Sequence, residues 1–241
     1  MGFVKDPSKM RIGEKMAREF LTAQIADPEL RAKLTPTYRM GCKRVMLSND
    51  YYPALTRDNV ELVTEAIVAV EPHGVRTADG VLHELDVLIC ATGFYVTDSP
   101  AFSLVHGASG TLADAFRGDL DHYRGTSFPG YPNLFMLLGP NTELGHSSVL
   151  YMIESQLNYV VATLAPALRR GALVEPTAEA ARAWTSDVRA KLPSTVWGTG
   201  CTSWYLNDRG VNTTIWPDFT FRFRRATRHY VAGDHQVTVA E

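Results

Sequence analysis

Two short, almost purely apolar runs constrain this chain more than any other feature. Leu85–Ala91 reads LDVLICA and Asn133–Leu138 reads NLFMLL. Neither alternates polar with apolar residues, as a strand with one wet face would. Apolar runs of this length, closed by glycine turns, mark strands covered on both faces, as in a parallel sheet flanked by helices. Each run leads into a glycine, Gly93 after Ala91-Thr92 and Gly139 before Pro140. Ligands in open α/β sheets sit beyond the carboxyl ends of strands, and glycine lets the backbone approach them closely. The pattern predicts an α/β chain with Gly93 and Gly139 as candidate ligand-contacting positions. The alternative is that both glycines only turn the chain.

Around these runs the periodicity predicts an amphipathic helix over Met10–Ala26 and a second helix that starts at Asp27-Pro28 and ends before Thr35-Pro36. Strand candidates follow at Val45–Ser48, Asn59–Val63 and Ala66–Val70. Val75–Thr77 and Val81–Leu82 flank a turn at Ala78-Asp79-Gly80, which reads as a hairpin. The longest helix is expected over Ser147–Arg170, closed by Gly171, and another over Thr177–Leu192. Beyond Trp197 no period is clear. Met1–Lys9 and Ala232–Glu241 are expected to be weakly ordered.

Composition excludes several classes. The 241 residues are 45% hydrophobic and 21% charged, with a formal net charge of −2. That balance offers no basic field for nucleic acid. No apolar stretch reaches bilayer length, so no transmembrane segment is expected, and no signal pattern opens the chain, which suggests a cytoplasmic location. Three cysteines, Cys42, Cys90 and Cys201, are odd in number and widely spaced. They argue against a disulfide framework or a metal site and for a reducing compartment, with Cys90 as a core residue. No serine-hydrolase elbow, phosphate-binding P-loop or HExxH motif occurs.

Two local patterns suggest chemistry. Lys43 and Arg44 stand side by side between Gly41-Cys42 and a short strand candidate. Arginine offers a rigid fork of donors and lysine a compact charge suited to phosphate; the plain alternative is a solvated pair. The loop Asn141–Val149 leads into the longest helix. The first free N–H groups there, at Ser148 and Val149, form a small anion site aided by the helix dipole. An ordinary serine cap is the competing explanation, and His146 beside it reads as a structural histidine.

Four stretches, LTPTYRMGCKRVMLSNDYYPAL, LDVLICATGF, FPGYPNLFMLLGPNTELGHSSVLYMIESQ and GCTSWYLNDRGVNTTIWP, together resemble the C-terminal half of class B flavin-dependent monooxygenases, of the Baeyer–Villiger and flavin-containing monooxygenase types. The resemblance runs from about the first helix to about Arg225. It implies a partial two-dinucleotide-binding-domain flavoprotein fold. Residues 1–92 would be the tail of the NADP-binding domain with linking strands. Residues 93–241 would be the C-terminal part of the FAD-binding domain plus a substrate-side region, with pocket walls from Phe94–Phe116 and Trp197–Trp216.

The implied cofactors are FAD and NADP. NADPH reduces FAD, the reduced flavin captures O2 as a C4a-peroxide, and that species attacks a small organic ketone, sulfide or amine. Arg44 falls on the family's catalytic arginine, and Lys43 on the residue that favours the 2′-phosphate of NADPH. Ala91, Thr92 and Gly93 fall where the chain passes between the nucleotide domains. Ser148 and Val149 fall where backbone N–H groups meet the flavin pyrimidine edge.

The glycine-rich dinucleotide motif GxGxxG and the fingerprint FxGxxxHxxxW are both missing from the sequence. The chain is therefore expected to be truncated relative to the family, as a fragment, as the product of a split or decayed gene, or with a partner chain supplying the first half; by itself it is expected to bind FAD poorly and to self-associate through open sheet edges. A non-catalytic remnant that keeps part of the fold without cofactor is the alternative. A disulfide reductase has no CxxC to support it.

Overall fold

The computed structural model describes residues 1–93, 99–108, 110–118 and 120–239. Phe94, expected to open the pocket wall, lies outside them, as do Ala240 and Glu241. The chain packs as two compact units. The smaller comprises Glu14–Thr37 and Met46–Phe94; the larger comprises Met1–Gly13, Tyr38–Val45 and Tyr95–Glu241.

Most of helix α1 (Met10–Gln24) belongs to the smaller unit. Its apolar residues are only partly covered: Leu21 and, just beyond the helix, Ile25 are buried, while Ile12, Met16 and Phe20 are exposed. Helix α2 (Pro28–Leu34) starts as its sequence requires. The Asp27 carboxylate accepts from the N–H groups of Glu29 (3.1 Å) and Leu30 (3.2 Å), and Pro28 occupies the first turn. A short helix α3 (Tyr51–Leu55) was not expected; the Ser48 hydroxyl accepts from the Tyr51 N–H at 3.1 Å. Strands β1 (Ile67–Glu71), β2 (Gly74–Thr77) and β3 (Leu82–Glu84) form an antiparallel sheet in that order. The expected hairpin joins β2 to β3. Gly80 takes φ +86°, and the Asp79 carboxylate accepts from the Thr77 hydroxyl and the Val81 N–H.

The larger unit opens with a two-stranded hairpin, β4 (His106–Gly107) and β5 (Gly110–Thr111), which feeds helix α4 (Leu112–Arg117). Leu112, Phe128 and Tyr131 form one core cluster there. Helix α5 (Val149–Leu168) is the spine, and Gly171 turns the chain beyond it at φ +59°. Strand β6 (Ala172–Pro176) follows, then helix α6 (Ala178–Lys191), capped by Thr177. Helix α7 (Thr220–Thr227) packs along α5, with Met152, Trp216 and Phe223 in one buried cluster. Strand β7 (His235–Val239) pairs antiparallel with β6 from Pro176↔His235 to Ala172↔Val239.

Several expectations fail for physical reasons. Leu85–Ala91 is not a buried strand. Among the described residues no strand pairs with it, and Val87 and Ile89 are 73% and 83% exposed. Cys90 within it is likewise exposed rather than core. An apolar run becomes a strand only where neighbours accept its backbone hydrogen bonds. Asn133–Leu138 is not a strand either, because Asn133 (φ +58°) and Leu138 (φ +54°) sit in the left-handed region at its two ends. Val45–Ser48 and Asn59–Val63 are irregular.

The terminal segments are tied down. Val4 is buried, the Val196 N–H donates to the Phe3 carbonyl at 2.8 Å, and β7 completes a sheet. Cys42 and Cys201, expected to be reduced, are joined by a disulfide across 159 positions, a span that spacing arguments do not reach.

Candidate functional site

Buried side chains hold the loop before α5 in place. Gln156 of α5 is fully buried. Its amide N–H groups donate to the carbonyls of Gly125 (3.1 Å) and Met136 (3.3 Å) and to the Thr126 hydroxyl (3.0 Å), and its oxygen accepts from the Leu138 N–H (3.0 Å). Gly139 then packs so tightly that an added Cβ would lie 2.4 Å from the Gly125 carbonyl oxygen. Asn141, at φ +55°, donates through its side-chain amide to the carbonyls of Asn212 (3.0 Å) and Ile215 (3.1 Å). Its oxygen lies 3.2 Å from His122 Nε2. His122 is buried, and loss of solvation lowers its pKa to about 4, so it is neutral near pH 7. Backbone bonds from Asn141 to Thr213, from Glu143 to Thr214 and from Trp216 to Glu143 fasten this loop to residues 212–216.

At the end of that loop helix α5 begins without a side-chain cap. Ser148 occupies the N-cap position at φ −82°, ψ 119°, but its hydroxyl makes no capping hydrogen bond, and no acidic residue stands in the first turn. The first N–H groups of a helix have no partner inside it. Ser147 and Ser148 are exposed. The ordinary-cap explanation therefore does not hold here.

Unpartnered buried polar atoms gather beside this helix end. His146 stacks on Phe3 (ring centroids 5.5 Å apart, planes at 25°) and lies 5.9 Å from Trp197. Its Nδ1 is buried without a hydrogen-bond partner, and desolvation, followed by the nearby N-terminal charge, lowers its pKa. The Trp197 indole Nε1 is likewise buried and unpartnered, and the ring lies flat enough on Gly145 that a Cβ there would stand 3.0 Å from it. The Tyr205 hydroxyl, in the same core cluster as Trp197, is also buried without a hydrogen-bond partner among the described residues. Burial raises the Tyr205 pKa; the charge of Arg44 opposes the rise and that of Glu143 adds to it.

The segment bearing the two cations belongs to the same larger unit. Gly41, at φ +89°, lies against the Phe3 ring, where a Cβ would come within 2.8 Å. Cys42 next to it is buried and bonded to Cys201. Lys43 and Arg44 are both exposed; the Lys43 ammonium lies 4.7 Å from the centre of the Tyr38 ring, and Arg44 is close enough to Tyr205 to act on it electrostatically. The larger unit thus contains Lys43, Arg44, Gly139, Ser148 and Val149, whereas Ala91, Thr92 and Gly93 lie in the smaller unit. All three of the latter are exposed, and among the described residues nothing lies within 4 Å of a Cβ added at Gly93, at φ +93°.

Sequence reasoning placed Trp197 and Tyr205 in a general pocket wall and gave neither a role. Only coordinates reveal that their polar atoms are buried and unsatisfied. A buried donor or acceptor without a partner is costly, so this group of atoms fits a ligand that supplies acceptors and donors. The uncapped start of α5 fits a carbonyl or anionic edge of that ligand. Among the described residues, no helix is long and apolar enough to cross a membrane.

No protein-family model matches the chain. A Baeyer–Villiger monooxygenase from Streptomyces coelicolor is 44% identical over 239 residues, which is 98% of this chain and 46% of that protein. Among solved structures, cyclohexanone monooxygenase from Rhodococcus sp. Phi1 bound to NADP+ superimposes with a TM-score of 0.83 at 29% identity, covering 98% of this chain and 46% of that one. OTEMO in complex with FAD and NADP gives 0.83 at 25% identity over 98% of this chain and 46% of that one. The chain spans about half the length of the relatives it matches, and over that half it shares their mixed helix-and-strand fold. It is related along nearly all of its length to one half of the Baeyer–Villiger type of flavin-dependent monooxygenase.

Proposed function

We propose that this chain supplies one half of an FAD- and NADPH-dependent monooxygenase that inserts oxygen beside a ketone carbonyl or onto a sulfide or amine. The observation that carries this is the uncapped start of α5 at Ser148 and Val149, flanked by the buried, unpartnered atoms of His146, Trp197 and Tyr205. In this reading residues 1–92 end the NADP-binding part, and residues 93–241 contribute to FAD binding and the substrate side. When bound, the flavin supplies hydride acceptance from NADPH and activation of O2.

The residues of this chain have separate tasks. The N–H groups at Ser148 and Val149, helped by the dipole of a 20-residue helix, hold a carbonyl edge that gains negative charge. Arg44, exposed and permanently charged, stabilises negative charge on the reacting oxygen. Lys43 offers a point charge to the nucleotide's extra phosphate. Gly139 keeps the loop before α5 against Gly125, and Ala91, Thr92 and Gly93 leave backbone open for a nucleotide.

The other half of the family's fold, with its glycine-rich phosphate sites, covers part of this chain's surface. The exposed apolar side chains of Val87, Leu88 and Ile89 support this, because an uncovered run of this kind marks a surface meant to be covered. Without that cover the chain self-associates. The same exposure favours the rival reading, a non-catalytic remnant.

The test is assembly with a complementing half, followed by comparison of wild type with Arg44→Ala. Loss of oxygenation by about 10²–10³-fold, with flavin reduction by NADPH retained, is the expected result. Oxygenation that survives the substitution would remove Arg44 from the mechanism, and an assembled protein that never oxygenates would favour the remnant.

A further inference from the structure

We infer that Cys42 and Cys201 form a thiol–disulfide modification site that fixes, when oxidised, the segment carrying Lys43 and Arg44. The pair closes across 159 positions with Cα atoms 6.3 Å apart. It is the only bonded pair among the three cysteines, and Cys90 is free and exposed. A single bridge of this kind, in a chain with a core of its own, is not part of the cysteine framework that small secreted domains need.

What the bridge joins gives it a consequence. On one side, Cys42 directly precedes Lys43 and Arg44. Its N–H donates to the Arg39 carbonyl at 3.1 Å, and Gly41 rests on Phe3. On the other side, Cys201 follows Gly200, which sits at φ +90°, and precedes Trp204 and Tyr205, whose rings meet at a tilt of 54° with centroids 4.4 Å apart. Tyr205 is buried in a cluster with Val4, Val196, Trp197 and Ile215. Oxidation therefore ties the segment bearing the two cations to the chain that enters this buried aromatic cluster. Reduction removes this covalent tie and leaves the exposed Lys43 and Arg44 to the turn at Gly41 and the contact of Lys43 with Tyr38.

Entry is through Cys201, which is partly exposed, whereas Cys42 is 1% exposed. The Cys201 thiolate attacks a small-molecule disulfide and releases one thiolate. The Cys42 thiolate then attacks the Cys201 sulfur of the mixed disulfide and expels the second. One disulfide bond is broken and one is formed. The two protons lost by the cysteines end on the two released thiols, and a dithiol reverses the sequence.

The test uses the full chain equilibrated in glutathione buffers from fully reduced to fully oxidised. Differential alkylation with mass spectrometry follows the thiols, and limited trypsin digestion follows cleavage after Lys43 and Arg44, with Arg57 as an internal control. Cys42 and Cys201 are expected to convert together while Cys90 stays alkylatable throughout. Cleavage at Lys43 and Arg44 is expected to rise at least fivefold on reduction and to stay constant at Arg57. Cys201→Ser should cleave at the reduced rate in every buffer; that position is partly exposed, so the variant serves even if Cys42→Ser does not fold. A pair that stays locked or stays open throughout overturns the site. Equal cleavage of both forms, or a Cys201→Ser variant as resistant as the oxidised protein, overturns its hold on Arg44. Neither readout uses flavin or turnover, so the outcome is separate from that of the proposed function.

Discussion

Replacing Ser148 with alanine should cost this protein almost nothing, and that expectation runs against the usual behaviour of helix caps. Loss of a serine or threonine cap typically destabilises a protein by about 1 kcal/mol, because a first-turn N–H loses its acceptor. Ser148 provides no such acceptor. Thr177 at the start of α6 does, accepting from the Ala180 N–H at 3.1 Å, and gives an internal control. In a chain of this size about 1 kcal/mol corresponds to a shift of roughly 2–4 °C in Tm. Thermal and urea unfolding of Ser148→Ala and Thr177→Ala should therefore differ, with the first unchanged and the second lowered by that amount. A third variant sharpens the comparison. Ser148→Asp places a carboxylate where both cap and dipole favour it, and should stabilise the protein by about 1 kcal/mol. It does so by occupying the donors assigned to a ligand. A Ser148→Ala variant as unstable as Thr177→Ala would mean that the hydroxyl caps α5 in solution, and the helix start would then be an ordinary one.

Three further outcomes follow from the buried polar groups. Gln156→Leu removes one acceptor and the donors that serve Gly125, Thr126 and Met136. At about 1–3 kcal/mol for each buried group left unsatisfied, the loss should reach about 4 kcal/mol, seen as a much lower urea midpoint with an unchanged slope. His122, whose folded pKa of about 4 lies below its unfolded value of 6.5, binds its proton first in the unfolded chain. Its stabilising contribution is complete above about pH 6.5 and is lost as pH falls toward 4, at 1.36 kcal/mol per unit or about 3 kcal/mol in all. Stability measured from pH 7 to pH 4 should show that slope, and His122→Asn should flatten it; an unchanged slope in the variant would assign the proton to another group. Disulfide reduction should lower Tm as well, since closure of so long a loop contributes up to about 5 kcal/mol, and an unchanged Tm would show that the bridge does not restrain the unfolded chain.

Helices α1, α2, α5 and α6 were legible because their signals are local, whereas the short helices α3, α4 and α7 were not foreseen. Asp27-Pro28 caps α2, Thr177 caps α6 and Gly171 closes the turn after α5, each within a few residues of the element it governs. The β2–β3 hairpin was legible for the same reason, through Asp79-Gly80. The apolar runs were misread because a strand is a relation between segments. Leu85–Ala91 carries the composition of a buried strand but has no paired neighbour among the described residues, and the ends of Asn133–Leu138 adopt left-handed backbone that no apolar pattern discloses. Strand β7 hid in a tail that looked dispensable, since its partner β6 lies about sixty residues earlier. The site divides in the same way. Ser148 and Val149 follow from a helix start, which is local. The unpartnered atoms of His146, Trp197 and Tyr205 depend on burial contributed by Phe3, Gly145 and Ile215, and no spacing rule joins those positions.

The central claim is that the start of α5 holds a flavin once the complementing half is present. It is tested most directly by flavin retention, read in the visible spectrum after gel filtration. This chain is run alone, mixed with the other half of the Streptomyces coelicolor relative, and mixed with that half as Ser148→Asp. The account predicts a colourless chain alone, a yellow complex in the wild-type mixture, and at least a tenfold weaker hold on FAD in the variant mixture. A wild-type mixture that retains no flavin, or a Ser148→Asp mixture that binds it equally well, would contradict the account.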